Sequence, residues 1–121
     1  MTTEDQNTMF ERACRLQSVG RDQEALDLFR ELERQGAFPD KTPGMIGMVL
    51  YHAFDRATEA RAFLERAVEV APEWEMASLS LFHVLLELDE TEKAFDEMER
   101  FLARADSPKY MRLLAQINRE E

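Results

Sequence analysis

The side chains with the most chemical reach in this 121-residue chain are one thiol and two imidazoles: Cys14, His52 and His83. Thiolate and imidazole are zinc ligands, and three of them on one surface would leave a fourth position open. The close spacing that usually presents such ligands, paired Cys or His a few residues apart, is missing, and no fourth ligand is evident. The preferred reading is therefore that all three are ordinary packed or surface side chains. Acids are plentiful, with Glu87, Asp89, Glu90, Glu92, Asp96, Glu97 and Glu99 in one run. A carboxylate metal site needs such residues, but the same run is the usual composition of a solvated helix face, which is the preferred reading. The chain has no glycine-rich phosphate loop, no nucleophile elbow and no HExxH. No enzyme, no cofactor and no metal is expected.

The elements that must position these residues are helical. Hydrophobic residues make up 45 % of the chain and charged residues 33 %, which describes a folded domain, and 4 Gly with 4 Pro leave little material for the turns of an all-β fold. Helix punctuation suggests seven stretches, at 7–19, 22–35, 43–54, 57–71, 73–87, 90–105 and 108–119. Thr42-Pro43 and Ser107-Pro108 each read as an N-cap followed by proline, and Asp89 with Glu92 reads as a capping box. Gly20 and Gly36 stand where helices should stop. The expectation is an all-α fold without a strand.

The formal net charge is -10, which argues against nucleic acid or an anionic membrane as partner and leaves open a protein partner with a basic flank. A single cysteine forms no internal disulfide. No apolar run approaches the ~18 residues of a membrane span, and "MTTEDQNTMF" has acids where a signal peptide has lysines. These features together lead to the expectation of a cytoplasmic protein.

One stretch, "EARAFLERAVEVAP" at 59–72, spends half of its apolar face on alanine. The pattern recurs in "EALDLFREL" and "KAFDEMERF", giving the pairs Ala25/Phe29, Ala60/Leu64 and Ala94/Met98. Small residues allow two helix backbones to approach where they cross, and the larger residue one turn on fills the groove beside them. With a period near 34 residues, alternating helices and prolines at 39, 72 and 108, the chain resembles the tetratricopeptide repeat family. The resemblance covers about residues 6–106 as repeats 6–39, 41–74 and 75–106 in one domain spanning 1–121, with 107–119 as a capping helix. It implies an α-solenoid of antiparallel helix pairs. Bulky Phe82 and Phe101 stand at positions where the family has small residues, and Gly44 and Gly47 interrupt one first helix. Trp74 is expected to pack over the joint between repeats rather than to anchor a peptide.

The resemblance also implies a function. First helices of such repeats line a concave groove, and the family's groove positions fall here on Asn7, Phe10, Cys14, Gln17, Thr42, Met45, Val49, His52, Met76, Leu79, His83 and Leu86. None is Lys or Arg, so the basic clamp by which some members hold an acidic chaperone tail is absent from these positions. The implied role is a protein-interaction module that binds an apolar peptide or helix of a partner, chiefly through Phe10, Cys14, Met45, Val49, His52, Met76, Leu79 and His83, as an adaptor or chaperone. A type III secretion-type chaperone is one version of this role. A homodimer or larger scaffold using the same apolar surface is the alternative.

Overall fold

The computed structural model describes residues 2–120, so the two end positions of the expected domain lie outside the described residues. Seven α-helices and no strand occur among the described residues: α1 Thr3–Ser18, α2 Asp22–Arg34, α3 Thr42–His52, α4 Ala57–Val70, α5 Glu75–Glu87, α6 Thr91–Leu102 and α7 Pro108–Glu120. Helices α1 with α2, α3 with α4 and α5 with α6 form pairs, and contacts of α2 with α3, α4 with α5 and α3 with α5 stack the pairs into a solenoid-like array. Among the described residues, no helix is long and apolar enough to cross a membrane.

The turns inside the pairs share one device. Gly20, Asp55 and Asp89 each adopt a left-handed φ, of 82°, 54° and 61°. That turn lets the next amide reach back across the helix end: Arg21 N–H to Leu16 O at 2.9 Å, Arg56 to Leu50 at 3.0 Å, and Glu90 to Leu85 at 2.8 Å. Chain reversal within three or four residues then makes the partners antiparallel. Asp89 therefore ends α5 and does not cap α6, contrary to the capping-box expectation. Aspartate tolerates the left-handed region, and Glu90, next in the chain, makes no side-chain capping bond.

Two other ends also differ from expectation. Thr42 is fully buried and donates its hydroxyl to Ala37 O at 2.8 Å, so it secures the preceding loop rather than capping α3. Helix α1 begins at Thr3 because the Thr2 hydroxyl accepts the Asp5 amide at 3.2 Å, with Glu4 and Asp5 in the first turn to oppose the helix dipole. Ser107 caps as its sequence suggests, accepting the Tyr110 amide at 3.1 Å.

The alanines do what their spacing implies. Ala25, Ala60 and Ala94 are fully buried, beside equally enclosed Phe29, Leu64 and Met98. Across from α4, Gly44 and Gly47 present bare backbone. A Cβ on Gly47 would lie 2.7 Å from Leu64 Cγ and 3.3 Å from Ala60 O, and one on Gly44 would lie 2.7 Å from a Trp74 ring carbon and 3.2 Å from Ala67 Cβ. The two glycines leave no room for a side chain where α3 meets α4, and Trp74 covers the first of them at the joint between pairs. In the last pair, bulk replaces small residues. Phe82 meets Phe95 and Tyr110 edge-on at 5.5 and 5.7 Å, and Phe101 lies 5.8 Å from Tyr110.

Tyr110 fastens α7 to that pair. It is fully buried, and its hydroxyl lies 2.8 Å from Ser78 Oγ. Ser78 Oγ is also 2.6 Å from Glu97 Oε2. A carboxylate only accepts, so Ser78 donates to Glu97 and Tyr110 donates to Ser78. Arg100 completes the network with two bonds to Glu97 and one to Pro72 O at 3.0 Å. Burial is the main cause that pushes the Tyr110 phenol well above its ordinary pKa, so it remains the protonated donor. Tyr110→Phe should lower unfolding free energy by about 0.5–1.5 kcal/mol through the lost bond. Tyr110→Ala should cost about 3–5 kcal/mol through the added cavity. Denaturant titration measures both, and equal losses would mean that ring burial does not hold α7.

Candidate partner-binding face

The groove-position residues distribute over the first helices in an ordered way, because residues three, four and seven apart share a helix face. Phe10 on α1 is half-buried and meets Phe29 and Phe38 edge-on at 5.6 and 5.2 Å. Phe38 takes a φ of 50° just before α3, a conformation held by Lys41 and Thr42 amides that both donate to its carbonyl. With half-buried Met45 on α3 and Trp74, Phe10 lines a cavity of about 400 Å³ closed by Ala71, Asp40 and Lys41. Its wall is almost wholly apolar. Trp74 thus serves both the repeat joint and this cavity, whereas sequence reasoning assigned it only the joint.

A second cavity, about 460 Å³, lies between α3, α5 and α7, lined by His52, Met76, Leu79, Ser80, His83, Lys109, Arg112, Leu113 and Gln116. Met76 is 43 % exposed, whereas Leu79 is 7 % exposed and shows only an edge. His52 Nε2 lies 3.0 Å from Ser80 Oγ, a bond that ties the end of α3 to the middle of α5. Burial lowers the pKa of both histidines, and for His52 the neighbouring His83 adds to the effect. The cavity shares no lining residue with the first. Six of the eight residues singled out from sequence therefore divide between two hollows rather than forming one seam.

Two of the eight stand apart from both hollows. Val49 is 1 % exposed within the core and touches only a smaller hollow of about 340 Å³ beside Gln17, Met48 and His52. Cys14 is half-buried, and its thiol pKa is raised, first by burial and then by Glu11. It does not line the cavity that His52 and His83 share. Among the described residues, no three His, Cys, Asp or Glu side chains gather in a way that could hold a metal ion.

Ser80, Lys109, Arg112 and Gln116 were not singled out from sequence, and Leu113 reads there only as part of the covering face of the capping helix. The four on α7 fall at i, i+3, i+4 and i+7, the same helical spacing that marks its apolar stripe at Tyr110, Leu113, Leu114 and Ile117. Reading the helix only as a cover hid this adjoining face. The consequence is electrostatic: the wall carries Lys109 and Arg112 and no carboxylate, although none of the groove positions read from sequence is Lys or Arg.

Compared with models of protein families and with curated proteins, the chain matches none. The repeat resemblance rests on the periodic positions and the helix pairing.

The lowered histidine pKa values fix a pH dependence. Below about pH 6.5 the unfolded chain protonates these imidazoles before the folded chain does, so acid favours unfolding. Stability from this pair is intact above pH 6.5 and is lost as pH falls from there through the folded pKa values. Thermal unfolding of His52→Gln/His83→Gln between pH 7.5 and 5.5 should show a shallower decline than the parent chain. An unchanged slope would remove the histidines from the explanation.

Proposed function

We propose that the chain is a protein-interaction module of the tetratricopeptide-repeat kind, acting in the cytoplasm as an adaptor or chaperone that holds an apolar peptide or helix of a partner protein. The single observation that carries this reading is the apolar cavity of Phe10, Met45, Ala71 and Trp74, lined from α1, α3 and the segment joining α4 to α5. Such hollows accept the anchor residues of an extended or helical segment. Soluble domains seldom keep a contiguous apolar patch without a use. Met76, 43 % exposed at the second cavity, extends the same chemistry. Methionine adapts its shape to varied partners, which suits a module of this type. The absence of an enzyme motif and the repeat-like helix pairing support binding rather than catalysis.

Met45→Glu and Met76→Glu test the proposal without entering the sealed core, because both side chains retain access to solvent. A charge in a desolvated contact should weaken client capture by tenfold or more, equivalent to about 1.4 kcal/mol, while the helical circular-dichroism signal and melting temperature stay near those of the parent. Folded variants that capture the client at full strength would place the partner elsewhere. Loss of a parent dimer on the same substitutions, seen by light scattering, would favour self-association over a separate client.

A further inference from the structure

In a chain with a formal net charge of -10, one hollow is an electrostatic exception. The cavity between α3, α5 and α7 joins an apolar floor of Met76, Leu79 and Leu113 to a rim of Lys109, Arg112, His52 and His83. Of the thirteen other lysines and arginines, eight pair with an acid among the described residues. Arg30 pairs with Glu59, Arg61 with Glu90, Arg66 with Glu33 and Arg100 with Glu97. At the cavity, Lys109 has only Glu75 at 3.9 Å, with its ammonium resting against Met76 Sδ at 3.3 Å. Arg112 makes no ion pair among the described residues. A cation-rimmed apolar hollow presents the complement of one chemistry, an anionic group attached to an apolar body.

We infer that the α3–α5–α7 cavity takes an acidic, leucine-type segment of a partner protein, with apolar side chains on Met76, Leu79 and Leu113 and carboxylates against Lys109 and Arg112. The inference rests on the interaction-module reading and reverses the expected sign of the partner's charge. It also makes α7 a part of the binding face as well as the cover of the last pair. The local field must act against the repulsion of the whole acidic molecule, so the preference depends on short-range pairing at the rim. Because Lys109 and Arg112 are exposed, each such pair contributes modestly.

Three short labelled peptides distinguish the possibilities. All carry the same two leucines at i and i+4, with the polar positions filled by Glu, Gln or Lys. They are titrated against the full chain, with the ring-proton resonances of His52 and His83 followed by NMR. The Glu peptide should shift both histidines and bind about three- to tenfold more weakly to Lys109→Gln/Arg112→Gln, while the Gln peptide should not distinguish the variant from the parent. The difference should vanish at about 1 M salt, where the screening length falls to about 3 Å. Both exposed substitutions should leave the melting curve unchanged, so a weaker complex would not reflect misfolding. Equal binding of the Glu peptide to parent and variant, or histidines that it leaves unmoved, would overturn the inference. If the Gln peptide shifts the histidines as strongly and the variant alters nothing, the cavity binds apolar segments without charge preference. That outcome sinks the acidic-partner inference and leaves the proposed function standing.

Discussion

The approach of α3 to α4 sets the spacing of everything else. Gly44 and Gly47 cost helix α3 about 1 kcal/mol each in propensity relative to alanine, and a short helix does not carry two of them without a compensating gain. The gain is distance. Leu64 and the Ala60 carbonyl sit where a Cβ on Gly47 would be, and the Trp74 ring sits over Gly44. The two helices can therefore lie backbone to backbone, bringing Ala60 and Ala67 into full burial and carrying Leu64 with them. Side chains that bury little area allow their neighbours to bury more.

From this central pair the array extends in both directions by different means. Toward the first pair, α2 meets α3, and Leu26, Phe29 and Leu32 on α2 are sealed from solvent. Bridges such as Arg30 to Glu59 at 3.1 Å and Arg66 to Glu33 at 2.7 Å cross the outer surface. Exposed pairs of this kind contribute little stability each, and they serve better to fix register. Toward the end of the chain, aromatic bulk takes over, with Phe82, Phe101 and Tyr110 packed beside buried Ser78 and Glu97, which half-buried Arg100 completes as a network. That network leaves no buried side-chain polar atom unpartnered among the described residues. The open end of the stack is therefore closed by a polar latch inside an aromatic cluster.

Much of this organisation is legible in the sequence, for local reasons. The Ala-x3-large pairs and the glycines at 20 and 36 mark helix faces and helix ends, and all seven helices lie within a few residues of their expected bounds. What escaped has a common cause. Asp89 resembles a cap because its side chain is suitable, but its left-handed φ is imposed by the tight turn. Thr42 looks like a cap for the same reason, and burial redirects its hydroxyl to Ala37 O. The candidate face was only partly legible. Helical periodicity gives the face on which Phe10, Met45, Met76 and His83 stand, whereas the depth of Val49 depends on how far neighbouring helices lean over it. The cationic rim depends on where α7 docks, a tertiary fact that its own periodicity does not contain. The result joins an apolar hollow near α1 to a cation-rimmed one near α7, in a chain whose formal net charge is -10.

The account stands most directly on the close approach at Gly47, and the unfolding free energy of Gly47→Ala tests it. Intrinsic helix propensity alone would make this substitution stabilising by about 1 kcal/mol. A methyl placed 2.7 Å from the Leu64 branch carbon and 3.3 Å from a backbone oxygen must instead force the helices apart. Overpacking of this kind costs about 1–3 kcal/mol, so the expected outcome of a denaturant titration is a net loss. An alanine variant as stable as the parent chain, or more stable, would contradict it.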